Sequence, residues 1–312
     1  MIYPMLVLWI ISGLLILREN YNTKILLYMG IFGLISAICF YLLGSPDVAM
    51  AEAAISAFTT IFFIILLERF YGFKRERGDR EELYKPIKIN PVKYIFPLIL
   101  SAGTFALFLL FMPDNEVNVY LKELYLARFQ TDVGGLNPVS AIYLNYRMYD
   151  TLFEALVLVI AVVGVIHMSH FNETSVEDGR HSEIEGSGMA IFAMRIICPI
   201  ILVFGVYLVL NGHISAGGGF QGGLAIASFF VARFMIYDVY DLPIQKLNKM
   251  EEIVFVAIAL FAVTIAFQGL FVYIDAPLFR EIYLIIMNIL IGLKVACGFI
   301  ILFYRYVAIE RK

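Results

Sequence analysis

Residues 282–306 read IYLIIMNILIGLKVACGFIILFYRY, an apolar run whose midpoint is a single lysine, Lys294. A run of this length crosses about 30 Å of hydrocarbon as one helix. Lys294 sits too many turns from either end to reach a headgroup with its ammonium. A charge at that depth costs about 2.5–3.5 kcal/mol on the insertion scale, so Lys294 must meet a carboxylate or give up its proton, and either role makes it a functional candidate. Asn288 and Gly292 precede it, with Asn288 about 120° away around the helix.

The rest of the chain has the same character. Of 312 residues, 61% are hydrophobic and 16% charged, with a mean hydropathy of +0.85, against roughly 45–50% and about 25% in a soluble domain. Eight further apolar stretches have spanning length, at 2–17, 24–43, 46–70, 91–112, 148–169, 189–210, 213–237 and 250–274. Backbone amides in lipid must pair within a helix or a closed barrel, and alternating ten-residue barrel strands are not seen. The expected fold class is therefore all-α, a polytopic membrane protein with about nine transmembrane helices. The opening stretch has no basic residue before it and no small-residue cleavage site after it, so it fits a retained helix better than a signal peptide. A net charge of -3 argues against a nucleic-acid partner.

Seventeen of the 23 Lys and Arg fall on segments that share a side if the N-terminus is outside, and four (Lys122, Arg128, Arg147 and Arg280) fall on the other. Arg195 and Lys294 lie within helices. Basic residues accumulate on cytoplasmic loops, which predicts an outer N-terminus and a cytoplasmic C-terminus in a cell membrane. Polar connections after the third and fifth stretches divide the chain into modules of three, two and four helices, at 1–72, 91–170 and 189–312. The outer segment 113–147 is half apolar, and part of it reads as interfacial helix.

Carboxylates inside the spans are the next candidates. Asp47, beside Pro46 at a helix start, fits a cap on free N–H groups. Glu52 is too deep for that, and Ser56, Thr59 and Thr60 follow it along one stripe, an arrangement suited to ion handling. Asp150 and Glu154, four apart, point the same way. Two like charges on one face in low dielectric disfavour simultaneous ionisation, as a proton carrier requires; alternatively Asp150 pairs with Arg147 and is structural. His167 and His170 close the inner end of this helix, where solvated histidines are common, and Arg195 is shallow enough to snorkel.

The string NGHISAGGGFQGG, residues 211–223, holds Gly217, Gly218, Gly219, Gly222 and Gly223. Glycines this dense make poor helix, so the chain is expected to enter the membrane as an unwound stretch or packed turn before the helix becomes regular. Such backbone is tolerated at membrane depth only where protein buries it or it lines water. His213 and Gln221 either face that cavity or hold the turn. Cys39, Cys198 and Cys297 stand singly, so neither a metal cluster nor a disulfide scaffold is expected, and no catalytic or cofactor motif is found.

These segments resemble the small membrane modules of Mrp-type cation/proton antiporters and of membrane-bound hydrogenases and related sulfane reductase complexes. SPDVAMAEAA (45–54) looks like the domain near the C-terminus of the Mrp A protein that stands alone as the D component of the hydrogenases. AIYLNYRMYDTLFE (141–154) is similar to the hydrogenase E component. His213 with the glycine string, then Asn288 to Lys294, looks like the Mrp B protein, although Ala216 stands where that family often has proline. The resemblance implies a non-catalytic subunit of a sodium/proton translocating module in a respiratory complex, not an enzyme in itself. Its partners would be an antiporter-like protein, C-, E-, F- and G-like small membrane proteins, a hydrogenase or sulfane reductase arm, Na+, H+ and the bilayer. Glu52, Asp150, Glu154, Lys294 and His213 would form the ion path, supported by Asp47, Thr59, Gln221 and Asn288. The other reading is a scaffold that packs antiporter subunits without conducting ions.

Overall fold

The computed structural model describes residues 2–19, 21–71, 91–110, 120–168, 188–237, 243–268 and 277–307, and among them every regular element is helical. In chain order these are α1 (Ile2–Arg18), α2 (Asn22–Leu42), α3 (Pro46–Tyr71), α4 (Pro91–Leu110), α5 (Tyr120–Asp132), α6 (Pro138–Ala141), a π-helical turn (Ile142–Tyr146), α7 (Met148–Met168), α8 (Gly188–Asn211), α9 (Gly219–Tyr237), α10 (Ile244–Gln268) and α11 (Pro277–Val307). A long helix lies on each of the nine apolar stretches. Among the described residues, five helices are apolar and long enough to cross a membrane, namely α2, α3, α7, α8 and α11, and α1 is a shorter apolar helix.

Two boundaries are set by the backbone. The seventh stretch becomes helical only at Gly219, six residues after His213, because Gly217 and Gly218 adopt φ of 144° and 143° and end any continuous helix there. The eighth begins at Ile244 rather than 250, so Lys246 and Lys249 are already helical and Glu251 lies about two turns inside the helix instead of at its end. Pro113–Arg147 contributes α5, as well as α6 and the π turn.

The chain divides into two compact units, Met1–Gly72 with Arg128–Lys312, and Phe73–Ala127. The smaller holds α4 and most of α5. In the larger, α11 is the central helix. It packs against α3, α7, α8, α9 and α10, and 67% of its apolar window is buried against 11–22% in the other candidate spans. Phe58 of α3 meets Phe299 of α11 edge to face, with ring centroids 5.0 Å apart, a favoured aromatic geometry. The exposed faces of α1, α2, α7 and α8 are apolar, including Leu14, Val157, Ile160 and Val203, as a surface facing lipid or other apolar helices requires.

Helix α9 lies between α8 and α11 because it has glycines on two faces. A Cβ at Gly219 or Gly223 would sit 2.6 Å from the Asn288 carbonyl or 2.5 Å from the Gly292 carbonyl of α11, and one at Gly222 would sit 2.7 Å from the Gly205 carbonyl of α8. The missing side chains let three backbones approach closely, the usual function of small residues in a membrane bundle.

Candidate functional site

Lys294 finds a carboxylate. Its ammonium pairs with Glu251 of α10, both side chains are 1% exposed, and the ring of Phe255 lies 5.2 Å from Lys294 Nζ. The antiparallel arrangement of α10 and α11 explains the meeting, since each residue lies seventeen positions from the turn-facing end of its helix, Gln268 or Pro277. Ile258 and Leu284 are fully buried in the same helix pair. A buried ion pair in apolar surroundings is strongly coupled, because removal of either partner strands the other.

A second polar cluster surrounds the break before α9. Asn137, which caps α6 by accepting from Val139 N–H at 3.0 Å, donates its amide to Asp47 Oδ1 at 3.0 Å and faces the carbonyls of Gly212 at 3.2 Å and Ser215 at 3.0 Å. Gly217 N–H donates to the same Asp47 oxygen at 3.3 Å. Ser140 donates to the Gly212 carbonyl and lies 3.3 Å from the Tyr143 hydroxyl. Tyr143 in turn donates to Asn288 Oδ1 at 3.1 Å, which also accepts from Gly219 N–H at 3.0 Å. Gln221 reaches the Asp47 carbonyl at 3.5 Å. The His213 carbonyl accepts from Leu136 and Asn137 N–H, and its ring lies 3.3 Å from Glu281. Residues from all three sequence modules thus close one network around unwound backbone.

The π turn is part of this construction. Its register frees carbonyls that an α-helix would pair, and side chains take them up: Tyr283 donates to Leu144 O at 2.8 Å and Thr151 to Tyr143 O at 2.5 Å.

The structure therefore brings together Asp47, His213, Gln221, Asn288 and the glycines, with Lys294 six residues further along the helix of Asn288. Asp47 joins distant segments through its carboxylate. Glu52 is not part of the network. Five residues on from Asp47 it points about 140° away around α3, into a cleft of about 320 Å³ shared with Ser56, Thr59, Gly33 and Phe32. Ser56 donates to Glu52 at 3.3 Å, and Thr59 bonds back to Ile55 O at 2.8 Å. Asp150 pairs with Arg147 at 2.5 Å on an exposed face. Glu154 is exposed on α7 beside Tyr143. His167 bonds to Val163 O, and Arg195 is exposed. His170 lies outside the described residues.

Sequence reasoning missed Glu251, Asn137, Ser140 and Tyr143. For Glu251 the signal was the equal distance from the turn in consecutive helices; for Asn137 it was the Asn-Pro pair, a helix-start signature. Ser140 and Tyr143 are ordinary residues until tertiary contacts define them.

Comparison with known proteins agrees with this architecture. A family model described as a domain related to the MnhB subunit of Na+/H+ antiporter matches residues 189–309, and one described as the D component of MBH matches residues 7–71. A protein of Rhizobium meliloti named as the A/B component of a K(+)/H(+) antiporter is 22% identical over 254 residues, covering 73% of this chain and 25% of the relative. The antiporter protein mnhA2 from Staphylococcus haemolyticus is 28% identical over 168 residues, covering 54% and 20%. The chain spans a fifth to a quarter of the length of these relatives. Among solved structures, the Mrp complex from Dietzia sp. shares the fold, with a TM-score of 0.65, 19% identity and coverage of 95% of this chain and 34% of that chain. The membrane-bound sulfane sulfur reductase, an archaeal respiratory membrane complex, matches with a TM-score of 0.58 at 26% identity, over 71% of this chain and 99% of that chain. Over these segments the chain is therefore similar to the Mrp-type antiporter modules, with a domain like the MBH D component at residues 7–71 and an MnhB-related domain at residues 189–309.

Proposed function

We propose that this chain is a non-catalytic subunit of an Mrp-type sodium/proton translocating module, housed with antiporter-like and other small membrane proteins in a larger respiratory complex of the hydrogenase or sulfane reductase type. It has nine spans, an outer N-terminus and a cytoplasmic C-terminus, and sits in the cell membrane. Its three modules correspond to residues 1–72, 91–170 and 189–312. The observation that carries the reading is the fully buried Lys294–Glu251 pair, whose lysine lies on the same helix as Asn288 of the oxygen-lined break. A lysine and a glutamate in apolar surroundings exchange a proton at the cost of their mutual attraction, so the pair alternates between charged and neutral forms as charge moves nearby.

On this reading Lys294 and Glu251 hold the proton in transit, while His213 with Glu281 and the exposed Glu154 connect the path to neighbouring subunits and the outer side. Glu52 lines a separate, largely apolar cleft between α2 and α3. The redox chemistry belongs to other subunits. In vesicles containing the assembled complex, the Lys294→Met, Glu251→Gln double variant and Glu154→Gln are expected to abolish sodium-dependent proton flux at normal subunit stoichiometry. Wild-type flux in both variants would leave the scaffold role in its place.

A further inference from the structure

Glu52 is an acid that neither the network at the break nor the Lys294–Glu251 pair takes up. It lies six positions along α3 from Pro46, about 9 Å into a span that runs to Leu67. Its carboxylate turns further in, where Ser56, one turn on, donates to Oε1 at 3.3 Å. Among the described residues no Lys, Arg or His lies within ion-pair distance of it. The nearby Thr59 hydroxyl gives its proton to the Ile55 carbonyl at 2.8 Å. A carboxylate at membrane depth is costly unless something pairs with it, and this chain supplies no cation.

The carboxylate stands in a cleft of about 320 Å³ whose walls are mainly hydrocarbon, from Ile16 of α1, Leu26, Met29 and Phe32 of α2, and Phe63 of α3. Gly33 makes the room, since a Cβ there would stand 3.4 Å from Glu52 Oε1 and 2.5 Å from Ser56 Cβ. Met29 and Phe63 are exposed on the side of the helix bundle, so the cleft is open to whatever packs beside α2 and α3.

An apolar cleft with one acid in it is complementary to an apolar stem that ends in a cation. Water needs two to four polar partners, which these walls do not offer. A bare metal ion would exchange its shell of oxygens for one carboxylate and hydrocarbon. The amine of a lipid headgroup stays at the surface, about 9 Å short of Glu52. The side chain of a lysine on a neighbouring helix meets both demands, with four methylenes for the walls and an ammonium for the acid. Ser56 occupies Oε1, which leaves Oε2 for the incoming donor, and a single point donor suits one free oxygen better than the planar fork of arginine.

We propose that this cleft is the socket for a lysine carried on a transmembrane helix of a neighbouring subunit, with its stem along Met29 and Phe63 and its ammonium on Glu52. The socket rests on the reading of the chain as one subunit of a larger module, and it adds the contact that fastens the segment of α1 to α3 to its partner. A charge pair closed between two subunits fixes the register of the contact and slows its separation, because parting them strands both charges in lipid.

The test treats the intact purified complex with a membrane-soluble carbodiimide. The reagent converts the Glu52 carboxyl to an O-acylisourea. A lysine amine in contact attacks the acyl carbon, its proton passes to the isourea nitrogen, the urea leaves, and an isopeptide bond joins the chains. Peptide mass spectrometry then names the partner. One cross-link from Glu52 to a lysine of another subunit is expected, absent in Glu52→Gln and suppressed in Met29→Trp, which keeps the carboxylate and narrows the mouth of the cleft. Glu52→Gln preserves the volume and the bond from Ser56, and it should speed release of the partner into a dissociating detergent about tenfold. A Glu52 that ends as the unlinked N-acylurea, a cross-link confined to this chain or to an aminolipid, or wild-type release from Glu52→Gln overturns the socket. Sodium-dependent flux from a complex that forms no such cross-link would refute the socket alone, whereas the cross-link in a complex without flux would refute the transport role alone.

Discussion

Neutralising one member of the Lys294–Glu251 pair should be far more damaging than neutralising both. Each side chain is 1% exposed, so solvent screening offers no discount. Glu251→Gln leaves an unpaired ammonium in an apolar setting, and Lys294→Met leaves an unpaired carboxylate; each is expected to cost about 3–5 kcal/mol. Lys294→Met with Glu251→Gln removes both charges together and leaves one neutral amide, whose burial costs about 1–3 kcal/mol, less than an unpaired charge. The double variant should therefore be more stable than either single one, with a coupling energy above about 2 kcal/mol, within the range seen for contacting residues. The assay is denaturant unfolding of the full-length chain in detergent, followed by circular dichroism for the wild type and three variants. Additive losses would show that the two groups do not interact, and would refute both the pairing and the proton-holding argument built on it.

The glycine faces of α9 make a second set of expectations. Gly223→Ala would place a Cβ 2.5 Å from the Gly292 carbonyl, and backbone cannot yield as a flexible side chain does. A loss of about 1–3 kcal/mol is expected in the same melts. Gly164→Ala, on α7 with nothing within 4 Å, should instead be neutral or gain about 0.4–1 kcal/mol. Gly33→Ala would drive its Cβ into the Ser56 side chain, 2.5 Å from Ser56 Cβ, so it should part α2 from α3 and shift the emission of Trp9, which stacks on Phe32 with centroids 5.0 Å apart. Asn137→Ala takes one donor from Asp47 and from the Gly212 carbonyl, which keep Gly217 N–H and Ser140, and takes its amide from the Ser215 carbonyl; about 1–3 kcal/mol should be lost, visible as faster amide exchange at 212–218. Cys39, Cys198 and Cys297 are all buried, so a cysteine introduced at Ser175 should react with a membrane-impermeant maleimide only from the cytoplasmic side, and one at Asn115 only from outside.

Much of this architecture can be read from the chain because its physics is local. Hydropathy marks where helices lie, and the density of glycine at 217–223 marks where one must be interrupted. Lys294 announces that it needs a partner. The identity of that partner depends on the antiparallel placement of α10 and α11, and Glu251 lay hidden because the apolar count starts a helix at 250 while the backbone starts it at Ile244. Asp47 reads locally as a helix cap, yet its bonds go to Asn137 and Gly217, 90 and 170 positions away. Asp150 and Glu154 share a face as spacing requires, but Arg147 at i−3 takes Asp150 out of their mutual repulsion. Local pattern marks the polar residues; tertiary contact divides them into a buried pair, a network at the break, and acids that face outward.

The most direct measurement is sodium-dependent proton flux per assembled complex in vesicles containing the Lys294→Met, Glu251→Gln double variant. That variant removes the structural reason for the pair while leaving its volume largely filled, so stability and assembly should survive. The proton-holding role predicts that flux is lost although the complex is intact. Wild-type flux from an intact double variant would contradict it, and would make the buried pair an element of packing.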